Sequence, residues 1–385
     1  MHGCPLALGP HHALAGSLAL FDKDLAKNSH MKIQTRFFPY IALSILALLL
    51  GLWAGLLRLS WTVPALPRLA MAHGPLMVAG FLGVLIPLER AVAIRQKWMF
   101  VVPILAGLGW ISLFISSFLG GVLITLASVG TLAILLVMVR RERHIHTITM
   151  ALGVLAWVIG NLLWLAGFPL FQVVYWWMAF LVLTIGGERL ELSRVLRPKP
   201  AQIRIFSLFV LVLLAGAVLS IFNLSWGARV SGFAMLSLSV WFIKNDLARR
   251  NLHHANPLTR YIAICLFSGF LWLGVGGLLH LIFGATYAGP YYDAQLHTIF
   301  VGFVISMIFG HAPIIFPAIL GVPIMFYPTF YIQLSLLHLS LLLRVIGDLT
   351  LQLEIRKWGG LLNEVAILLF LGVTVYSIAA KKKQN

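Results

Sequence analysis

The chain has 385 residues, of which 61% are hydrophobic and 10% carry a formal charge. Soluble domains average about 25% charged residues, so this composition excludes an ordinary soluble globule, and its apolar content excludes a disordered chain. In a soluble protein the net charge of +17 would suggest a nucleic-acid partner. The two cysteines, Cys4 and Cys265, support neither a disulfide framework nor a thiolate metal site.

Residues 1–30 precede the first apolar segment and have neither the charged start nor the cleavage site of a signal peptide. They contain four histidines: His2, His11, His12 and His30. We predict a disordered leader, or a start codon placed too early, with Met31 as the natural start. A metal-binding tail is the alternative. Residues 31–385 are then predicted to form a single transmembrane domain.

Twelve apolar runs of about 20 residues follow, which is the length that a helix needs to cross a bilayer. They begin near Phe37, Leu69, Trp98, Gly120, Ile148, Leu170, Ile203, Val230, Tyr261, Leu296, Thr329 and Gly359. The connecting loops are short and leave no room for long barrel strands, so the spans must be helices. The sequence therefore predicts an all-α polytopic membrane protein with twelve transmembrane helices.

The loops carry their basic residues mostly on one side. If the amino terminus is cytoplasmic, that side holds 20 of the 28 lysines and arginines, and the outer side holds six, among them Arg58, Arg344 and Arg356. This bias follows the positive-inside rule. It predicts a bacterial inner-membrane protein with both termini in the cytoplasm. The positive charge then reports topology, the bilayer is the expected partner, and no nucleic acid is needed.

Spans two, six and ten share a weak sequence pattern. They read FLGVLIPLER from Phe81, FLVLTIGGER from Phe180 and FVISMIFGHA from Phe303. Equivalent segments thus recur at every fourth span in the same orientation, as in a parallel repeat. We predict three pseudo-symmetric four-helix units around a threefold axis. Coincidence among helices rich in phenylalanine and glycine is the alternative.

Five histidines lie within spans: His73, His280, His297, His311 and His338. Ionisable groups inside a membrane are costly and by default mark a function. The first three of these in chain order are predicted near the outer surface. His311 follows His297 by 14 residues and should lie about 21 Å deeper at 1.5 Å per residue. His338 is expected near that inner level.

Two neutral imidazoles that face each other can hold a haem iron from both sides. His73 and His297 are the candidate pair, and His280 is a further candidate. Gly80, Gly83 and Gly302 could let a flat ligand approach these helices, or could serve helix packing alone. For each histidine, a hydrogen-bonded structural role is the alternative.

His311 is followed by Pro313 and Pro317, which interrupt helical hydrogen bonding and free carbonyl groups. It is a candidate for a second metal site or for a proton relay, and a structural role is equally open. His338 lies in a leucine-rich span, which favours a structural role.

Glu89 and Glu188 lie at the cytoplasmic ends of spans two and six, and each is followed by an arginine. Adjacent residues on a helix do not face each other, so any ion pair should join two helices, for example Glu89 with Arg189. A structural ion pair is one interpretation of the glutamates. Proton-relay carboxylates at a cytoplasmic entrance are the other.

The arrangement resembles the catalytic subunit of haem–copper oxidases, and more closely the divergent NnrS membrane haem proteins associated with nitric oxide stress. The residues that carry the resemblance are AHGPLM from Ala72 on span two and HTIFVG from His297 on span ten, followed by Gly310 and His311. In the oxidase family, histidines on spans two and ten ligate a low-spin haem near the outer face, and twelve helices form three arcs. The resemblance therefore implies haem b held by His73 and His297.

The same resemblance implies an oxidoreductase that acts on nitric oxide or a related diatomic species, with an electron donor at the outer face or a quinol as partner. The family's copper ligands are histidines on spans six and seven, and both spans lack histidine here. Copper would therefore need another arrangement, using His280, His311 or His338.

Two other classes of function remain open on the sequence. Twelve spans with repeats and interrupting prolines are typical of secondary transporters or channels for a small solute or ion. The positions that fit this are Pro75, Pro87, Pro313, Pro317 and Pro323. An assembly or anchoring subunit, in which every histidine is structural, is the third class.

Overall fold

A computed structural model describes residues 34–322 and 324–382. Within these ranges the chain folds into helices and turns and contains no β-strand. The predicted leader and the question of Met1 or Met31 lie outside the described residues. The prediction of an all-α polytopic membrane protein is confirmed.

Twelve apolar helices correspond in order to the twelve predicted spans. They are α1 (Thr35–Arg58), α2 (Ala70–Ile94), α3 (Lys97–Ser112), α4 (Ser117–Arg141), α5 (Ile145–Leu165), α6 (Leu170–Leu196), α7 (Pro200–Phe222), α8 (Leu224–Asn245), α9 (Pro257–Phe283), α10 (Pro290–Leu320), α11 (Phe330–Leu349) and α12 (Leu353–Ala379). Eleven of those described are long and apolar enough to cross a membrane, and α3 is shorter. At 1.5 Å per residue α3 extends about 24 Å, less than the hydrocarbon thickness of about 30 Å.

Local sequence signals define many helix starts. The side chain of Ser116 accepts a hydrogen bond from the backbone N–H of Leu119 and thereby caps α4, which also fixes the turn that ends α3 early. Asn223 and Asn256 cap α8 and α9 in the same way. Capping side chains satisfy backbone donors that the first helical turn leaves free.

Several helices begin earlier than their hydropathy predicts, and α10 and α12 are two of them. The apolar runs predict starts near Leu296 and Gly359, but α10 begins at Pro290 and α12 begins at Leu353. Proline suits the first turn of a helix because the backbone N–H groups of that turn have no acceptor within the helix, so the N–H that proline lacks is not missed. The extra turns of these two helices are polar and carry Asp293 and Arg356, so both charges lie inside helices.

Most helices pack against their neighbours in sequence as antiparallel pairs, notably α5 with α6, α8 with α9 and α11 with α12. Contacts distant in sequence join α2 to α10 and α1 to α12. The end of the bundle where α2, α6 and α10 begin is called the histidine end here, because His73 and His297 lie there. The other end, where Arg90 and Arg189 lie, is called the basic end. The threefold arrangement of four-helix units stays a prediction.

Candidate functional site

His73 and His297 meet at the histidine end, as the sequence predicts. Their ring centroids lie 6.2 Å apart, and the ring planes are inclined by 31°. His73 comes from the first turn of α2, and His297 comes from the second turn of α10. We call these two side chains the imidazole pair.

Backbone carbonyls fix the orientation of both imidazoles. Nδ1 of His73 lies 2.8 Å from the carbonyl oxygen of Gly51 on α1, and Nδ1 of His297 lies 2.9 Å from that of Asp293. Because a carbonyl can only accept, each Nδ1 must carry the proton and donate it. In the neutral rings the lone pair is therefore on Nε2, which is the arrangement found in metal-binding histidines.

Both helices widen into a π-helix directly after the imidazole pair. The π-helical segments are Leu76–Leu82 in α2 and Thr298–Ile305 in α10. Short π-helical insertions are rare and occur frequently at functional sites. Two of them at matching positions below two facing histidines single out this end of the bundle. Hydropathy could not reveal them, since it reports apolar content and not hydrogen-bond register.

An ionic cluster surrounds His297, and we use that name for Asp293, Arg344, Asp348 and Arg356. Arg344 donates to Asp293 through Nε at 2.7 Å and through Nη2 at 2.9 Å. The same Nη2 lies 3.2 Å from Nε2 of His297, which accepts from it. A bidentate pair of this kind is among the stronger charged hydrogen-bonding arrangements in proteins.

Arg356 extends the ionic cluster along α12. Its guanidinium lies 3.3 Å from Asp293 and 3.0 Å from Asp348. Asp348 is fully buried, so this contact offsets part of the cost of placing a carboxylate in the interior. The sequence places Arg344 and Arg356 on the outer side. In the structure both lie within helices, α11 and α12, at the same end of the bundle as His297.

Glu364 of α12 approaches the imidazole pair at a glycine of α1. A Cβ atom placed on Gly55 would lie 2.8 Å from Oε1 of Glu364 and 3.3 Å from Cε1 of His73. The absence of a side chain at Gly55 therefore lets both groups lie against α1. Glu364 is 9% exposed. A buried carboxylate of α12 therefore lies beside the imidazole pair, in addition to that of Asp293.

The other candidate histidines are not joined to the imidazole pair. His280 is fully buried, donates from Nδ1 to the carbonyl of Gly276 at 2.8 Å, and packs edge-on against Tyr175. His338 accepts a hydrogen bond from the indole of Trp272 at 3.0 Å. Its Nδ1 lone pair is thus occupied, which agrees with the structural role predicted for it.

The glycines near the imidazole pair serve helix packing. A Cβ at Gly83 would lie 2.9 Å from the Trp157 ring, and one at Gly302 would lie 2.6 Å from Cβ of Trp272. Tryptophan side chains therefore fill the space that a flat ligand could otherwise approach at these two positions. Of the two interpretations of these glycines, the structure favours packing.

The ion pairs at the basic end join different helices, but not the residues given as the example. Arg90 of α2 pairs with Glu188 of α6. Arg189 instead binds Asp246 with two hydrogen bonds of 2.9 and 2.7 Å. The suggested pair of Glu89 with Arg189 is wrong, because Arg189 points toward α8. Glu89 has no cationic partner within 4.0 Å among the described residues.

A narrow cavity of about 100 Å³ lies on the way to the basic end, and we call it the three-helix cavity. Its lining includes four positions from each of α2, α6 and α10: Leu82, Leu85, Ile86 and Glu89; Leu181, Thr184, Ile185 and Glu188; Val304, Met307, Ile308 and His311. These are the positions that the predicted repeat aligns with one another. The three segments therefore present the same face to one space, and His311 takes the place of a glutamate.

His311 donates from Nδ1 to the carbonyl of Met307 at 2.7 Å. Its Nε2 and the hydroxyl of Thr184 have no hydrogen-bond partner within the part of the chain that is described. The sequence predicted that His311 and His338 could share an inner level. The two side chains do not contact each other, and His338 instead accepts a hydrogen bond from Trp272. No group of three or more His, Cys, Asp or Glu in the described ranges is arranged to hold a metal ion.

The model of one family, described as Domain of unknown function (DUF8744), matches residues 36–379. The chain belongs to this family, and the match covers all twelve helices. No curated protein matches the chain.

Proposed function

We propose that this member of the family is a membrane haem protein in which His73 and His297 hold the iron of one haem b between α2 and α10. The observation that carries the proposal is the imidazole pair itself. Two rings on different helices lie next to each other, and each has its Nδ1 proton engaged by a backbone carbonyl. The lone pair of each neutral ring is therefore on Nε2, and that of His297 accepts from Arg344.

The spacing of the pair fits one metal ion between two imidazoles. With a metal–nitrogen bond of about 2 Å and about 1 Å from each nitrogen to its ring centre, ring centroids are expected about 6 Å apart. The observed separation is 6.2 Å. A haem iron takes only two ligands from the protein, so two histidines without a third ligand suit it. The haem would supply one-electron transfer.

Arg344 must move if His297 is to bind a haem iron. Its Nη2 occupies the lone pair of His297, so ligation requires this contact to open. Arg344 can keep its Nε contact to Asp293 at 2.7 Å while it does so. Asp293 in turn holds the backbone turn whose carbonyl orients His297. We therefore infer that the ionic cluster positions His297 and holds its imidazole ring in one orientation.

The finer parts of the proposal rest on the sequence. We propose a bacterial inner-membrane location with both termini cytoplasmic, so that the histidine end faces outward. The resemblance to NnrS proteins supports a redox role related to nitric oxide, with an electron donor at the outer face or a quinol. Glu188 is paired with Arg90, which leaves Glu89 as the better proton-relay candidate. We confine the proposal to haem and do not extend it to copper.

The test is an absorption spectrum of the protein purified after expression with ample haem. We expect a Soret band and, on reduction, the sharp visible bands of a low-spin haem. His73→Ala and His297→Ala should each abolish or change that low-spin signal. A wild-type protein without a Soret band would contradict the proposal.

Two matched variants separate ligation from burial. His280→Ala and His338→Ala also remove buried histidines from neighbouring helices, but neither ring belongs to the imidazole pair. We expect both to keep the spectrum of the wild type. If either of them lost the low-spin signal as fully as His73→Ala, the assignment of ligands would be wrong.

A secondary transporter or channel for a small solute or ion is the second candidate. The three-helix cavity is the observation that favours it, because ionisable residues from three helices line a space inside the bundle. Pro313 and Pro317 lie within the helical segment beside it. A protein that binds no haem but mediates uptake into proteoliposomes would support this candidate over the first.

A further inference from the structure

The three-helix cavity combines apolar walls with a few polar side chains. Its lining is mainly aliphatic and aromatic, from α1, α2, α6, α10 and α12. Four lining residues carry the polar groups that matter here: Glu89, Thr184, Glu188 and His311. Pockets of this kind, apolar with a few convergent polar atoms, are the usual form of small-molecule sites.

The polar groups of this cavity are mostly hydrogen-bond acceptors. Because the Nδ1 proton of His311 is donated to Met307, Nε2 of the neutral ring can only accept. Ionised carboxylates of Glu89 and Glu188 likewise only accept. The hydroxyl of Thr184 can do either, and like Nε2 of His311 it has no partner among the described residues. A ligand that satisfied this set would have to be rich in donors.

The charge of the site also favours a cation. Glu188 is neutralised by Arg90. Glu89 is partly buried and has no described cation within 4.0 Å of its carboxylate. Its negative charge is therefore free to pair with a cation bound in the cavity.

The walls can accommodate a short apolar body. Phe309 and Phe370 line the cavity and stack with ring centroids 4.1 Å apart, and Phe81 and Phe316 line it as well. A volume of about 100 Å³ exceeds that of one water molecule, whose share of the liquid is about 30 Å³, but is too small for a drug-sized ligand.

We propose that the three-helix cavity binds a small primary ammonium ion, with the –NH3+ group donating to Glu89, Thr184 and His311 and a short alkyl chain against the apolar walls. A primary ammonium has three N–H donors and no acceptor, which complements the groups that the cavity leaves unpartnered. The inference is independent of haem and of the imidazole pair.

The test uses the full-length protein in detergent and three probes of similar size at constant ionic strength. Propylammonium has charge and N–H donors, tetramethylammonium has charge without donors, and 1-butanol has a donor without charge. Isothermal titration calorimetry should show saturable binding of propylammonium, with affinity at least tenfold above that of the other two. The thermal midpoint should rise with propylammonium concentration, since a ligand that binds only the folded state stabilises it.

Variants locate the site. Glu89→Gln should weaken propylammonium binding at least tenfold, and Thr184→Val, which keeps the side-chain shape, should weaken it several-fold. Glu191→Gln is the matched control, because Glu191 lies on the same helix as Glu188 but does not line the cavity. It should bind as the wild type does.

Three results would overturn the proposal. Equal binding of 1-butanol would mean that apolar volume alone is recognised, and equal binding of tetramethylammonium would mean that charge alone is. Absence of saturable binding of propylammonium to the wild type would mean that water alone occupies the cavity. If Glu89→Gln does not fold, Thr184→Val decides, and unchanged affinity in that variant contradicts the assignment.

Discussion

The ionic cluster at the histidine end and the three-helix cavity toward the basic end differ in how their polar groups are paired. At the histidine end, Asp293 and Arg344 bind each other and His297, so that these three side chains form one hydrogen-bonded network. At the three-helix cavity, Nε2 of His311 and the hydroxyl of Thr184 have no hydrogen-bond partner among the described residues. The bundle therefore holds His297 in a connected polar network and leaves polar atoms of the cavity without a partner.

The difference indicates what each end can do. A closed network holds side chains in one geometry, which suits the orientation of His297 as a proposed ligand. Unpartnered acceptors raise the cost of an empty site and thus favour occupancy by a donor.

The largest effect is expected where a buried ion pair is broken. Both ends contain an Arg–Asp pair with two hydrogen bonds, Arg344 with Asp293 and Arg189 with Asp246. Asp293→Ala and Asp246→Ala each leave a buried guanidinium unpaired, which should lower the free energy of unfolding by about 3–5 kcal/mol. Unfolding in detergent, followed by tryptophan fluorescence, measures the loss.

The two variants should differ in their effect on haem. Asp293→Ala should also shift the low-spin spectrum, because Asp293 contacts both His297 and its neighbour Arg344. Asp246→Ala should leave the spectrum unchanged, since its contacts are to Arg189, Ser193 and the backbone of Ala248. Equal spectra for both variants would contradict the positioning role of the ionic cluster.

An intermediate effect is expected at Gly55. A methyl group there would lie 2.8 Å from the movable end of the Glu364 side chain and 3.3 Å from His73, whose ring is held by Gly51. Because the Glu364 carboxylate can shift, we expect a cost near the lower end of the usual overpacking range, about 1 kcal/mol. Gly55→Ala should therefore lower the thermal midpoint and perturb the haem spectrum. Gly372→Ala is the matched control, because a Cβ at Gly372 would meet nothing within 4 Å. A Gly55→Ala protein as stable as this control would refute the close approach.

The smallest effect compares two hydroxyls that line the three-helix cavity. Ser44 donates to the carbonyl of Phe81 at 2.9 Å, whereas the Thr184 hydroxyl has no partner among the described residues. Ser44→Ala should cost about 0.5–1.5 kcal/mol, the net value of one hydrogen bond. Thr184→Val should be neutral or stabilising in the absence of ligand. Denaturation of both variants decides, and an equal loss would show that Thr184 is already satisfied.

Much of the fold could be predicted from hydropathy, because a helix in lipid must be long and apolar. The meeting of His73 with His297 could be predicted too, from their similar depth and from the resemblance. The repeat alignment, weak as a sequence match, places twelve lining residues of the three-helix cavity at equivalent positions. Periodicity carries this information, since equivalent helices expose equivalent faces.

The ionic cluster could not be predicted in the same way. Asp293 and Arg344 are 51 residues apart and lie on different helices. Hydropathy reports apolar content and does not indicate which polar side chains of two helices meet. Pairing at the basic end was predicted in kind but not in detail. Which arginine meets which glutamate depends on the rotation of α2 and α6 about their axes, and sequence spacing along one helix does not determine it.

The most direct test of the central claim is near-infrared magnetic circular dichroism of the oxidised, haem-loaded protein. This measurement distinguishes axial ligand pairs in low-spin haem. The imidazole pair predicts the signature of two histidine ligands, one haem per chain, and its loss in both His73→Ala and His297→Ala. A signature of one histidine with another ligand, or a signal unchanged in either variant, would contradict the account.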